Sequence, residues 1–286
     1  MVAVARAGGD RRRRRPEAGD VVLRLGRISY VNMAPLFFRL GAAVNEVSGV
    51  PTELNRRLLA GELDLAPISS IEYARNAERL RILPRLCVSS EGAVDSIQLV
   101  SRAPLSAIRS VAVTPESATS AVLVRVLLPE AAQVPLGEGA DATLLIGDAA
   151  LRSMFEDPTP HYDLGRLWLE RTGLPMVYAL FACPDRPPAG ARGGAVAWWD
   201  SLAALEDALL EAHRVARGDP EELALEASAR YGYPPGFLAR YFEKLRYRFG
   251  PRERAGALTF FELARDAGEL EHVPELRFLV PEPAPV

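Results

Sequence analysis

The sequence predicts a two-lobed α/β protein with a ligand cleft between its lobes. Three observations carry this. Short apolar strand-like runs alternate with amphipathic helical runs over residues 21–183, the pattern of a parallel sheet flanked by helices. The alternation breaks near residues 102–104 and restarts, which marks a second unit. The very apolar run 176–183 then returns the chain to the first unit. Two connections between two units make a hinged cleft, and ligands of such sheets bind at the carboxyl ends of strands. The organisation expected is a disordered tail over 1–20, the first part of lobe one over 21–102, lobe two over 103–178, and a return to lobe one with a helical C-terminal part over 179–286.

The elements follow in order. Residues 21–29 alternate as a first strand, and Pro35 suits the first turn of an apolar helix over 36–40. A short strand is expected at 45–49. The next helix opens at Val50-Pro51-Thr52-Glu53, carries Leu54, Leu58 and Leu59 on one face, and ends at Gly61. A strand over 63–68 closes at Ser69-Ser70, which cap a helix starting at Ile71. Strands are expected at 86–90, 96–100, 110–114 and 142–146, with a helix over 117–128 and another opened by Gly147-Asp148. Helices at 198–217, 220–230, 235–245 and 251–267 fill the C-terminal part, and a proline-rich end follows Pro281.

Composition narrows the function classes. The 286 residues are 49% hydrophobic and 25% charged, with a net charge of −3. That is globular composition with no electrostatic footprint for nucleic acid or an anionic membrane. Nearly all basic residues are arginine, with Lys244 the single lysine, as codon bias in a GC-rich genome produces. Cys87 and Cys183 stand far apart with no CxxC or Cys/His cluster, so they read as buried thiols and no metal site is expected. The basic run Arg11 to Arg15 leads into Pro16, Glu17 and Gly19, not into the apolar stretch of about 7–15 residues that an export signal needs. With no apolar run long enough for a membrane span, a cytoplasmic location is expected.

Five clusters are candidates for chemistry. Ser117-Ala118-Thr119-Ser120 places hydroxyls and free N–H groups at a helix N-terminus, which serves equally as a plain N-cap or as an anion site. Ser69-Ser70 is either a cap or a pair of hydroxyls facing the cleft. Tyr30-Val31-Asn32 is either a turn or a substrate-orienting group, since Asn offers a donor and an acceptor without charge. Ser89-Ser90-Glu91-Gly92 with Ser96 holds Glu91, a candidate base or a solvated turn residue. Gly147-Asp148 ends an apolar strand, where Asp148 is an N-cap or a ligand contact. His161, His213 and His272 have neither a metal-spacing partner nor a nucleophile beside them. Tyr231, Tyr233, Tyr241 and Tyr247 read as a helix-packing aromatic set.

The runs Gly26-Arg27-Ile28-Ser29-Tyr30-Val31-Asn32-Met33-Ala34-Pro35, Val50-Pro51-Thr52-Glu53-Leu54-Asn55, Ile68-Ser69-Ser70-Ile71-Glu72-Tyr73, Ser117-Ala118-Thr119-Ser120 and Leu145-Ile146-Gly147-Asp148-Ala149-Ala150-Leu151 resemble, in order, the chorismate dehydratase family of the futalosine route to menaquinone. So do Leu59 through Leu65 and the stretch from Tyr162 to Pro175. The resemblance spans most of residues 24–183. It implies an α/β, two-lobed type II periplasmic-binding-protein-like fold with an interlobe cleft. It further implies a small-molecule dicarboxylate substrate, no cofactor, and loss of water from chorismate to give 3-[(1-carboxyvinyl)oxy]benzoate. On that reading Asn32 is the catalytic residue. Tyr30, Ser69, Ser70, Ser96, Ser117, Thr119, Ser120, Gly147 and Asp148 bind substrate. No nucleic-acid or membrane-inserted partner is expected, and the chain is a monomer or homodimer. The rival readings are a non-catalytic small-anion binding protein or sensor and the later naphthoate-forming enzyme of the same pathway, which would need a cleft histidine.

Overall fold

The computed structural model describes residues 22–189, 191 and 193–279, so the basic tail and the proline-rich end lie outside the described residues. The first lobe begins with β1 (Leu23–Ile28), a three-residue 3-10 turn (Val31–Met33) and α1 (Ala34–Phe37), whose first turn holds Pro35. β2 (Val44–Gly49) and α2 (Pro51–Leu59) follow, and Gly61, at φ +73°, makes the left-handed exit that a side chain would strain. Next come β3 (Ala66–Ser69), α3 (Ser70–Arg75) and the long β4 (Leu80–Ser90). There follow β5 (Ile97–Val100), β6 (Ser110–Val113), α4 (Ala118–Leu127), β7 (Ala132–Pro135), β8 (Ala142–Ile146), α5 (Gly147–Glu156), β9 (His161–Asp163) and α6 (Leu164–Thr172), which we propose form the second lobe. β10 (Met176–Pro184) returns, and α7 (Gly194–Gly218), α8 (Pro220–Tyr231), α9 (Pro235–Lys244), β11 (Leu245–Arg248) and α10 (Pro251–Asp266) complete the described chain.

Each lobe is built on its own sheet. In lobe one the order is β11-β4-β10-β3, and a Leu25–Leu65 bridge joins the β1–β2 pair to the approach of β3. Gly26 permits this: a Cβ there would lie 2.7 Å from the Cβ of Ala66. In lobe two the order is β7-β6-β8-β5-β9. The sheets are mixed where the sequence predicts parallel ones. β1 with β2, and β6 with β7 and β8, do run parallel. β10 runs antiparallel to β3 and β4, because a strand arriving from the other lobe enters the sheet from the opposite end. β5 is antiparallel to β8 and β9 for the same reason.

Sheet membership also bears on where the lobes divide. Ile97–Val100 bonds to β8 and β9, so it goes with the residues that follow it and not with 21–102. We propose crossings at residues 91–96 and 173–175 in place of 102/103 and 178/179. The short strands β7, β9 and β11 are absent from the sequence prediction, since three or four residues leave too little periodicity to read, and so is the nine-residue helix α6.

The C-terminal helices pack on lobe one, and α10 also reaches α4 and α6 of lobe two. Trp168 is fully buried edge-on against Phe260, at 5.9 Å between ring centroids. Gly256 of α10 lies against the backbone oxygen of Pro175, which a Cβ would approach to 2.1 Å. Buried Glu206 of α7 accepts the N–H and the guanidinium of Arg85, at 2.8 and 2.9 Å. Cys87 and Cys183 are buried and free, and burial pushes both thiols up to about 12. Among the described residues no helix is long and apolar enough to cross a membrane, and no cluster of His, Cys, Asp and Glu could hold a metal ion.

His213 on α7 packs its ring against Tyr247 at 4.9 Å. Burial first, and the charge of Arg217 second, lower its pKa to about 4. The unfolded chain therefore binds this proton below about pH 6.5 while the folded chain does not, so stability falls as pH drops from 6.5 towards 4. Comparing the wild type with His213→Gln by thermal melts from pH 7 to pH 4 should show a shallower pH dependence in the variant.

Candidate functional site

The carboxyl ends of β1, β3 and β8 and the N-termini of α4 and α5 converge on a cleft between the lobes. Of the residues expected from sequence, Tyr30, Asn32, Ser69, Ser96, Ser117, Ser120 and Gly147 line it. Tyr178 completes the polar part. The apolar part is Ile28, Pro51, Val88, Val94, Ile97, Ile146, Ala179 and Leu245. None of the lining residues carries a formal charge.

Each polar group is held by its own local cause. Ser117 caps α4: its Oγ accepts the Ser120 N–H at 3.2 Å and donates to Ser120 Oγ at 2.9 Å. Ser69 makes no cap. Asn55 of α2 grips it on both sides, accepting its N–H at 3.0 Å and donating to its Oγ at 3.2 Å. Ser96 lies on the first crossing, where its carbonyl accepts the Gly147 N–H at 2.8 Å. That crossing is organised by Asp163, the N-cap of α6. Its carboxylate accepts N–H groups from Val94, Asp95 and Arg166 and the side-chain amide of Gln98, at 2.7–3.1 Å. Burial raises the pKa of Asp163 even so, the donors opposing it. Asp95, at φ +59°, reaches the other way and pairs with Lys244 at 2.5 Å.

Asn32 sits in the 3-10 turn after β1. Its Oδ1 is buried and has no hydrogen-bond partner among the described residues. A buried amide oxygen left unbonded is uncommon, because its lost hydration is not replaced. Asn32 also lines the cleft, so its side-chain amide is a candidate ligand contact.

The lobes also bond directly to each other. The Tyr30 hydroxyl donates to Glu116 at 2.8 Å, and the Val31 N–H donates to Asp148 Oδ1 at 3.1 Å. Tyr233 donates to the Asp148 carbonyl at 2.9 Å, and the Ile71 N–H to Thr119 Oγ1 at 3.4 Å. Burial, with Glu116 beside it, raises the Tyr30 phenol well above its ordinary range, so it stays a neutral donor. Burial likewise raises the Asp148 carboxyl.

Three expected ligand contacts therefore lie behind the cleft wall. Ser70 donates to the Val177 carbonyl at 2.7 Å, Thr119 bonds α3, and Asp148 tethers the turn that carries Asn32. Asp148 is not the N-cap of α5, a place held by Ile146. Glu91 is exposed and paired with Arg252 at 2.7 Å, as a solvated turn residue is. No histidine lines the cleft. His161 bonds Ser153 at 2.5 Å, and His272 lies at a separate surface hollow. Sequence reasoning missed Tyr178, whose hydroxyl bonds Ser90 at 2.9 Å. Its signal was present as the one hydroxyl-bearing side chain in the apolar run 176–183.

Comparison with known proteins adds a family, two relatives and two solved structures. Residues 23–266 match the family model described as menaquinone biosynthesis. A chorismate dehydratase of Thermus thermophilus is 35% identical over 267 residues, covering 83% of this chain and 93% of that protein. A chorismate dehydratase of Campylobacter jejuni is 34% identical over 170 residues, covering 56% and 67%. Among solved structures, the alkanesulfonate-binding protein of Xanthomonas axonopodis pv. citri, bound to MOPS, superposes with a TM-score of 0.63 at 15% identity, covering 92% of this chain and 98% of that one. A Candida albicans protein described as having the generic periplasmic binding protein fold gives 0.60 at 12% identity, covering 89% and 92%. The fold is thus that of the periplasmic binding proteins.

Gly147 has φ +54°, and a Cβ there would lie 2.6 Å from the Tyr30 ring. Overpacking of this kind costs about 1–3 kcal/mol. Gly147→Ala should therefore lower Tm by about 3–10 °C. Removing the ring in Gly147→Ala/Tyr30→Ala should cancel part of that loss, so the two changes should be non-additive in thermal melts.

Proposed function

Since the chain belongs to the menaquinone biosynthesis family, we propose that it is a chorismate dehydratase, a hydro-lyase that converts chorismate to 3-[(1-carboxyvinyl)oxy]benzoate and water. The observation that carries this reading is the unbonded Oδ1 of Asn32 in a cleft with no charged side chain. We place the activity in the cytoplasm.

Chorismate is a cyclic diene with two carboxylates, an enol ether and a neighbouring hydroxyl. The apolar residues form a slot for its ring. The N-terminus of α4, with Ser117 and Ser120, offers hydroxyls and a helix dipole to one carboxylate. Hydrogen bonds to a charged acceptor contribute about 1.5–3 kcal/mol each. Asn32 Oδ1 accepts the hydrogen of the leaving hydroxyl and sets its angle to the ring.

The reaction makes the ring aromatic, so much of the driving force lies in the substrate. In this mechanism the hydrogen on the ether-bearing ring carbon passes as a proton to the substrate's own side-chain carboxylate. The electron pair left behind delocalises through the diene onto the ring carboxylate. It then expels the neighbouring hydroxyl, which departs as water with that proton. The protein positions the groups and stabilises the charge developing on the ring carboxylate. A cleft lined by neutral hydroxyls, an amide and helix ends suits this division of labour, because the base is supplied by the substrate.

Incubation with chorismate should give an aromatic ultraviolet spectrum and one equivalent of product per chorismate consumed. Tight binding without turnover would instead support a non-catalytic binding protein. Asn32→Ala should lower kcat by about 100-fold, the scale of a lost positioning or charge-stabilising contact. Unchanged turnover would remove Asn32 from the mechanism. Ser117→Ala/Ser120→Ala should raise KM by about tenfold or more, as loss of one charge-assisted hydrogen bond does.

A further inference from the structure

Residues 233–247 contain tyrosines that the proposed reaction does not use. One of them bears on the cleft directly. Tyr247 of β11 is 1% exposed, and its hydroxyl donates to the backbone oxygen of Asn32. The partners are 215 positions apart in the chain, so this bond is made by the closing of the C-terminal part over lobe one. On the other side His213 of α7 presses edge-on against the Tyr247 ring. Leu245, two residues earlier on the same strand, lines the cleft itself.

The turn that carries Asn32 has few other restraints. Val31 is tethered through its N–H to Asp148, and Met33 bonds back to the Tyr30 carbonyl at 3.2 Å. The Met33 N–H shares the peptide plane of the Asn32 carbonyl, so its bond holds that plane only within the turn itself, and the Val31 bond reaches to the other lobe. Tyr247 holds the plane from a strand anchored in the lobe-one sheet by its pairing with β4. A small rotation of that plane would swing the side-chain amide, and a misplacement of about 1 Å can cost 100-fold in rate.

We propose that Tyr247 is a positioning residue for the dehydration, acting through Asn32. The inference rests on the assignment of Asn32 to the mechanism. The hydroxyl takes no part in proton transfer. It sets the depth at which the Asn32 amide stands in the cleft.

The test is a double-mutant cycle in chorismate turnover. Tyr247→Phe should lower kcat by tenfold or more while KM stays within about twofold. In an Asn32→Ala background the same change should lower kcat by less than twofold, because nothing is left to position. Tyr73→Phe is the stability control, since the Tyr73 hydroxyl is also buried and bonds the Glu275 carbonyl and Arg277 N–H away from the cleft. It should lower Tm and leave kcat unchanged. If Tyr247→Phe does not fold, 4-fluorophenylalanine at position 247 fills the hydroxyl's space without donating. Tyr247→Phe with kcat within twofold of wild type would overturn the proposal, as would an equal loss in both backgrounds. Full turnover by Asn32→Ala would instead overturn the role of Asn32, and this inference with it.

Discussion

The Asp163 carboxylate is the contact on which the cleft depends. It collects donors from Val94, Asp95, Gln98 and Arg166, and so joins the first crossing, β5 and α6 at one point. Val94, Ser96 and Ile97 all reach the cleft wall from this crossing. The carbonyl of Ser96 in turn holds the N–H of Gly147, which places the start of α5 against the Tyr30 ring. Taking a carboxylate out of water is costly, and four well-directed donors offset that cost. Asp163 is thus a structural acid beside a site whose own lining has none.

The neutrality of the cleft has a chemical consequence. A dicarboxylate held by arginines would be bound tightly in its ground state as well as in its transition state, which aids binding more than rate. Hydroxyls and helix N-termini are weaker and directional. They can favour the charge distribution that develops as the ring becomes aromatic. The charged groups stand one layer back, where Glu116 takes the Tyr30 hydroxyl and Asp148 takes the Val31 N–H. These bonds hold one lobe against the other and keep both acids engaged.

Much of this was legible in the chain. Strand–helix alternation, the apolar return over 176–183 and the hydroxyls at strand ends yielded the two-lobed fold and seven of the polar or glycine residues that line the cleft. Ser70, Thr119 and Asp148 show the limit of that reasoning. Each is next to a lining residue; Thr119 and Ser120 share α4, where adjacent side chains point about 100° apart, while Ser69–Ser70 and Gly147–Asp148 sit where a strand passes into a helix. Ser69 and Ser70 are equivalent as letters. Only the grip of Asn55 on one, and of the Val177 carbonyl on the other, separates them.

By itself the sequence determined most of the strands and helices, that the chain visits a second unit and comes back, and that uncharged polar groups collect at strand ends. These are local properties, set by periodicity and by the chemistry of turns. The tertiary structure decided the directions of β5 and β10, the support of Asn32 by Tyr247, and the place of Tyr178 in the cleft. Those depend on contacts between residues up to 215 positions apart, whose pairing is fixed by how the sheets and the C-terminal helices close on one another. No local pattern of residues encodes that closure.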